Sequence, residues 1–501
     1  MIEYVSFALL VLVSSAGNTL NAAPDSALLN EKLDAKPGVL SFELLPGRKV
    51  FERRMREMRR LEDGEPETQI QIDGLYQGYG THYVDLWIGT PVPQRQTVIV
   101  DTGSSSTAFP CKGCKNCGEE YHTDFHFDPS LSETFEKLDC DGCKHGSCRN
   151  EECNIHMSYA EGSSWSAYEA KDYLYAGGSH RTGEIVTIED GEPVVSSPTL
   201  QFETQFAFGC QMSLTGLFRT QLADGIMGMS RESYTFWDQM YTNGQITQKQ
   251  FSLCFSRQPI PTASSEGTGS EAMAVGAGAM TVGGLDDRFH KTPMVWAWES
   301  GGRSFFTVYI KNIFLREGGG ESARPDSEDQ IVHRVDIAEG LLNSRGVIVD
   351  SGTTDTYFTS ALAVPFKKIW KEITGETYST RAVSLTEQQL RSLPTVLVQL
   401  RGADGATYDD PETTGLAGGV DSDSPNDIII AIPASHYMEY DSDDDKYSTG
   451  LFIDEHGGSV LGANTMQGHN VFFDMETNQI GFAESDCEYS AESASGAGES
   501  I

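Results

Sequence analysis

Basic side chains are scarce in this chain of 501 residues: 36 Lys and Arg stand against 73 Asp and Glu, for a formal net charge of −37. That imbalance argues against nucleic acid and anionic membrane surfaces as partners. It suits a soluble luminal or extracellular protein that attracts basic substrates. No apolar run reaches the about 20 residues that a bilayer-spanning helix needs. The longest, Val5 to Val13, reads as the core of a signal peptide over residues 1–22, with small residues near Asn21, Ala22 and Ala23 for cleavage, although no basic residue precedes it. No Asn-x-Ser/Thr acceptor occurs, so N-glycosylation is not expected. An all-helical signature is missing too. The 51 glycines and many short Val/Ile/Phe/Tyr runs between turn clusters favour β structure, and the length allows two lobes with ample core.

Two short segments stand out. Val98-Ile99-Val100-Asp101-Thr102-Gly103-Ser104-Ser105 and Val347-Ile348-Val349-Asp350-Ser351-Gly352-Thr353-Thr354 are each a β-branched run that delivers one carboxylate to a turn. Each has a later apolar-apolar-Gly echo, Ile226-Met227-Gly228 and Val460-Leu461-Gly462. Taken singly, either segment reads as an ordinary Asp-Gly turn with a small hydroxyl residue. Together they describe a duplicated unit: two lobes, one carboxylate per lobe, and a cleft between them. Two acids at such an interface cannot both ionise, so they share one proton. The charged member serves as general base on a bridging water, while the protonated member hydrogen-bonds a carbonyl.

This pattern resembles the pepsin-like aspartic proteases, over about Tyr83 to Cys487. The resemblance implies an all-β, bilobal fold with catalytic Asp101 and Asp350 and no metal or cofactor. It gives Thr102 and Ser351 the role of cross-linking the two loops, and Ser104 and Thr353 that of bonding the outer carboxylate oxygens. Gly103 and Gly352 complete the two turns. Met157-Ser158-Tyr159-Ala160-Glu161-Gly162-Ser163 matches the flap that closes over substrate, with Tyr159 at its tip and Gly162 permitting the turn. Family members usually carry a Trp seven residues after the first Asp, bonded to the flap Tyr. This chain has Ala108 there, and Trp165 is the candidate substitute.

A longer run, Asp101 to Ser106 followed by Phe109-Pro110-Cys111-x-x-Cys114-Lys115-Asn116-Cys117-Gly118, together with Tyr159-x-Glu161-Gly162-Ser163, resembles the plasmepsin V branch. That branch consists of endoplasmic-reticulum proteases of protozoan parasites that cut Arg-x-Leu signals after the Leu. The branch's flap Cys is replaced by Ala160, and its carboxyl-terminal membrane anchor has no counterpart here. Glu161 is the candidate reader of the substrate Arg, through a charge-assisted contact; the plainer reading is a solvated flap-edge carboxylate.

Seven of the ten cysteines lie close together: Cys111, Cys114, Cys117, Cys140, Cys143, Cys148 and Cys153. Two-residue spacings can serve zinc, but no His accompanies them at ligand spacing, and the secretory lumen is oxidising. A disulfide-pinned insert fits better. An odd cluster needs an outside partner, expected to be Cys210, which leaves Cys254 for Cys487. That arrangement resembles the nepenthesin branch of the family.

The expected organisation is signal peptide 1–22, pro-segment 23–78, first lobe 79–250 with the insert and flap, second lobe 251–487, and a polar tail 488–501. The pro-segment holds the one strongly basic stretch, Arg48 to Leu61, read either as a helix over an acidic cleft or as a solvated arm. Its Arg59-Arg60-Leu61-Glu62-Asp63 has the Arg-x-Leu form, read either as a site of self-cleavage after Leu61 or as a chance match in an Arg-rich stretch. Residues 262–279 read as a loop, 317–336 as a charged insertion, Ser360 to Ile373 as an amphipathic helix, and the acidic run Asp441 to Asp445 as a solvated loop rather than a calcium site. The expected function is a monomeric aspartic endopeptidase of the secretory pathway, in the endoplasmic reticulum or Golgi lumen or secreted. Its partners would be polypeptides with a basic residue before the cut. The rivals are a broad-specificity secreted acid protease and a catalytically silent binding or inhibitor-recognition protein of the same fold.

Overall fold

The computed structural model describes residues 71–77, 80–176, 185–189, 192–196, 203–257, 277–302, 304–324, 330–408, 415–441 and 444–487. The expected signal peptide, the basic arm with its Arg-x-Leu match and the polar tail lie outside these residues. Strands dominate and helices are few, so the fold is all-β.

The duplication inferred from the two acid-bearing segments is visible in the strand pairing. In the first half, Gln94–Asp101 lies parallel to Gly225–Gly228, with Ile99 opposite Ile226 and Asp101 opposite Gly228. The short strand Ala108–Pro110 crosses antiparallel beside it, Ala108 facing Ile226. In the second half, Val347–Val349 lies parallel to Ser459–Leu461, with Ile348 opposite Val460, and Tyr357 faces that same Val460 antiparallel. β-Branched residues fill both acid strands because they pack on two faces. Val98, Val100, Val347 and Val349 are all buried. A strand held on both sides gives its terminal carboxylate a fixed position.

A continuous sheet joins the halves. It runs from Val295–Trp298 through Gln479–Glu484, His469–Asp474, Gln250–Phe255, Gly278–Val282 and Gln71–Gln77 into the strands of the first lobe. Gln71 pairs with Val282 and Tyr76 with Tyr83. Residues 71–77 therefore belong to the paired body, although the sequence placed them in the pro-segment. Gly278 and Ala279, read as the end of a loop, open a strand for the same reason: they complete that ladder.

The expected helix forms as a turn of 3-10 helix at Ser360–Leu362 followed by an α-helix at Ala363–Thr374. It buries Leu362, Phe366 and Trp370 against Tyr378, and Gly375 ends it in the left-handed region at φ 76°. Met438–Asp441 pairs antiparallel with Lys446–Thr449, Asp441 opposite Lys446.

All ten cysteines are paired: Cys111–Cys210, Cys114–Cys117, Cys140–Cys148, Cys143–Cys153 and Cys254–Cys487. Every thiol that the zinc reading would have used is thus consumed. Asp224 also ties the insert to the catalytic strand. It accepts hydrogen bonds from the Thr97 backbone N–H (2.6 Å) and hydroxyl (2.7 Å) and from the Asp124 N–H (2.9 Å).

His82 opens the strand next to the joining sheet. It is fully buried, its ring lies flat on Phe255 with centroids 3.8 Å apart, and neither ring nitrogen has a hydrogen-bond partner among the described residues. Burial pulls its pKa down to about 3. The folded protein holds this imidazole neutral while the unfolded chain, at an ordinary pKa of about 6.5, takes up a proton. Its contribution is therefore intact above pH 6.5 and declines as pH falls toward 3. We expect His82→Phe to lose less stability than wild type between pH 7 and pH 4, by about 2–3 kcal/mol. Urea unfolding at the two pH values measures this; equal losses in both proteins would contradict it.

Candidate active site

Each acid strand ends in a turn that the chain's own donors shape around the carboxylate. Gly103 N–H donates to Asp101 Oδ1 at 2.7 Å, and the Ser104 hydroxyl donates to Oδ2 at 2.6 Å. The second half repeats this with Gly352 N–H to Asp350 Oδ1 at 3.0 Å and the Thr353 hydroxyl to Oδ2 at 2.7 Å. Small hydroxyl residues three positions after each Asp are needed because only a short side chain can fold back onto that acid.

Behind the carboxylates the two turns grip each other. The Thr102 hydroxyl donates to the Val349 carbonyl (3.0 Å) and accepts from the Ser351 N–H (2.9 Å). The Ser351 hydroxyl donates to the Val100 carbonyl (2.7 Å) and accepts from the Thr102 N–H (3.1 Å). Four buried hydrogen bonds related by a pseudo-twofold axis thus bring together residues some 250 positions apart in the chain.

That grip sets each carboxylate against the other turn. A Cβ on Gly103 would lie 2.8 Å from both Asp350 carboxylate oxygens, and one on Gly352 would overlap Asp101 Oδ1 and Cγ. Asp101 is 5% exposed and Asp350 9%. Burial first, and then the charge of Asp350 beside it, push the Asp101 pKa well above the usual carboxylate range; bonds from Ser104 and Gly103 work in the other direction. The neighbouring Asp350 thus bears directly on the protonation of Asp101.

The flap is the hairpin of Glu152–Ser158 and Ser164–Ala176. Its turn closes with Tyr159 N–H to Ser163 O at 2.9 Å and Gly162 N–H to Tyr159 O at 3.1 Å, with Gly162 at φ 96°. Tyr159 packs on Phe218, ring centroids 5.0 Å apart, and its hydroxyl accepts from Trp165 Nε1 at 3.1 Å. Burial, then the nearby Asp101, raise its pKa. Trp165 thus fills the place that Ala108 leaves open: both lie in one buried cluster with Ile155, Leu214, Phe218 and Ile226. Glu161 is exposed at the flap edge, beside Gly162. Sequence reasoning missed Phe218. The one available signal was the apolar pair Leu217-Phe218 in the turn Thr215 to Thr220, which folds back on the flap through Leu217 N–H to Ser163 Oγ at 2.9 Å.

Comparison with known proteins agrees with this geometry. The family described as "Eukaryotic aspartyl protease" matches residues 331–485, around the second Asp, and "Xylanase inhibitor N-terminal" matches residues 82–270, around the first. Around each acid the chain is thus similar to the pepsin-like aspartic proteases. Among relatives, Aspartic protease 5 of Toxoplasma gondii is 31% identical over 210 residues, covering 38% of this chain and 20% of that protein. Plasmepsin V of Plasmodium falciparum is 30% identical over 199 residues, 38% of this chain and 30% of that protein. The matched stretch thus spans less than a third of either parasite relative. Aspartic proteinase nepenthesin-2 of Nepenthes gracilis is 24% identical over 476 residues, covering 91% of this chain and 89% of that protein. The similarity thus extends to both the plasmepsin V and the nepenthesin branches of that family.

The close approach of Gly352 to Asp101 makes a sharp test. A methyl group there must displace the carboxylate or spread the two turns. We expect Gly352→Ala to remain folded but to bind a hydroxyl-bearing transition-state mimic at least a hundredfold more weakly than wild type, about 2.7 kcal/mol. Isothermal titration calorimetry measures it, and unchanged affinity would show that the carboxylates are not set against the opposite turns.

Proposed function

We propose that the chain is an aspartic endopeptidase of the secretory pathway, in which Asp101 and Asp350 activate water against a peptide bond. The observation that carries this reading is the mutual approach of the two carboxylates, each framed by the same two donors. With one proton shared, the ionised member takes a proton from an attacking water, and the protonated member donates to the scissile carbonyl as its oxygen gains charge. Two positions on one pair thus supply base and acid, with Tyr159 and the flap closing over the peptide. The donors from Ser104, Gly103, Thr353 and Gly352 favour the charged form, so the proton is held by the pair rather than by two independent acids.

The finer reading is that the enzyme processes Arg-x-Leu signals in secreted or exported proteins and cuts after the Leu. Two features support it: the similarity to plasmepsin V and the exposed carboxylate of Glu161 one residue before the flap glycine. The net charge of −37 favours the approach of basic peptides. A second reading, an inhibitor-type protein, gains weight from the match of the first half to a xylanase-inhibitor family. The retention of both carboxylates with all four framing donors speaks against it, because a silent binding protein has no use for a buried, proton-sharing pair.

Two outcomes follow from this proposal. Asp350→Asn should fold normally and lose activity by several orders of magnitude on a peptide library, since it removes the partner that shares the proton. Near-normal turnover by that variant would end the dyad mechanism. Glu161→Ala should weaken cleavage of peptides with Arg third before the cut by roughly ten- to a hundredfold in kcat/KM, while peptides without that Arg change little. Equal losses for both peptide types would assign Glu161 to flap structure instead.

A further inference from the structure

We propose that a cavity at the flap-distal end of the first-lobe sheet is a second binding site, separate from the dyad, that takes a carboxylate joined to an apolar body. It goes beyond the endopeptidase reading and does not depend on it.

The cavity measures about 390 Å3 and lies between the cysteine insert, the sheet and the helix Phe236–Thr242. That volume falls in the range of small-molecule sites, about 300–1,000 Å3. Lys171 lines it, seven residues along the flap strand from Ser164, so about 23 Å of strand separate the cavity from the flap turn. Leu138, Phe206 and Ala207, all buried, form its apolar part. Tyr234 adds an aromatic wall that is 38% exposed.

These walls are held in place by bonds that the dyad does not use. Gln239 Oε1 accepts from Ala207 N–H at 2.8 Å, and its Nε2 donates to the carbonyls of Ala207 (3.0 Å) and Tyr234 (2.8 Å). Tyr234 N–H donates to Asp238 Oδ2 at 2.8 Å. Together they keep Tyr234 at φ 64°, in the left-handed region, where a bulky residue is strained. The turn that carries Lys144 is fixed as firmly. Fully buried Glu169 accepts from the N–H groups of Lys144 (2.9 Å), His145 (2.9 Å) and Gly146 (3.1 Å), and the Cys140–Cys148 and Cys143–Cys153 disulfides pin the same segment.

Charge decides the ligand. Lys171 is paired with Glu136 at 2.9 Å. Asp238 is engaged by Tyr234 N–H, and Asp139 Oδ1 by the N–H groups of Asp141 and Gly142, both at 3.1 Å. Among the described residues Lys144 has no carboxylate partner; its ammonium lies 5.5 Å from the centroid of the Tyr234 ring. In a chain of net charge −37, this lining cation is left for an acceptor from outside. A carboxylate supplies it, and an aromatic or aliphatic body behind the carboxylate fills the space against Tyr234. A bare phosphate would leave that apolar space empty.

Isothermal titration calorimetry on the full chain tests this with two acids, phenylacetate and the capped dipeptide acetyl-Asp-Phe-amide. Their uncharged counterparts, phenylacetamide and acetyl-Asn-Phe-amide, are the controls. At least one acid should bind with a Kd below about 1 mM, and its counterpart at least tenfold more weakly. Lys144→Met removes an exposed ammonium, and Tyr234→Gly removes the ring where the backbone suits glycine, so both proteins should fold. Each should weaken the bound acid at least tenfold. Tighter binding of the dipeptide would assign the site to an acidic segment of a polypeptide, and tighter binding of phenylacetate to a free organic acid; either supports the shared chemistry. Failure of both acids to bind, equal affinity for an acid and its counterpart, or wild-type affinity in either folded variant overturns the proposal.

Discussion

Four hydrogen bonds hold the site together, two between Thr102 and Ser351 and one from each of their hydroxyls to the carbonyl of Val349 or Val100 in the opposite half. Each hydroxyl donates to a carbonyl of the opposite half and accepts an N–H from it, so no polar atom of this knot is left with half its valence. Buried groups satisfied this completely cost little to keep and much to disturb. Their consequence is electrostatic. They set the two carboxylates beside each other, and the Asp101 pKa rises through burial first and then through the charge of Asp350. The glycines at 103 and 352 follow from the same constraint, since any side chain there would occupy the volume of the opposite acid.

The sequence disclosed those parts of the structure that depend on local pattern. The acid strands were legible because a β-branched run ending in Asp-Thr-Gly-Ser or Asp-Ser-Gly-Thr combines a buried strand with a turn that needs small donors. Their parallel partners were legible because the duplication repeats the apolar-apolar-Gly signal at Ile226 and Val460. The flap was legible from Tyr159 to Ser163, where turn chemistry and resemblance coincide. Features that depend on distant pairing were not. Gln71–Gln77 carries little hydrophobic signal of its own and becomes a strand because Gly278–Val282, two hundred residues later, offers it an edge. The connectivity inside the cysteine insert could not be read from spacing, because several pairings close loops of similar size. Trp165 was nameable as a candidate, but its direction follows from the register of three strands, which no local pattern fixes.

The insert and the flap look separate in the sequence and adjoin in the fold. Cys114 and Cys117 pack in the cluster that holds Trp165, while Asp124 and Asp224 tie the other end of the insert to the catalytic strand at Thr97. A surface elaboration thus packs against the hairpin that carries Tyr159. The second lobe has its own arrangement, with Phe366, Trp370 and Tyr378 gathered in one aromatic cluster. The two halves share the acid-strand geometry and diverge in what supports it.

The central claim is that the protonation of Asp101 depends on the carboxylate of Asp350 beside it. Carbon-detected NMR of protein labelled at the Asp carboxyl carbons measures this directly, with the Asp101 signal assigned by its loss in Asp101→Asn. The account predicts that Asp101 titrates in two steps in wild type, because the proton is passed between the partners. In Asp350→Asn it should follow a single step at a lower pKa than the upper wild-type step, since the neighbouring charge is gone while burial remains. One identical single-step curve in both proteins would show that the two carboxylates do not sense each other, and would contradict the claim.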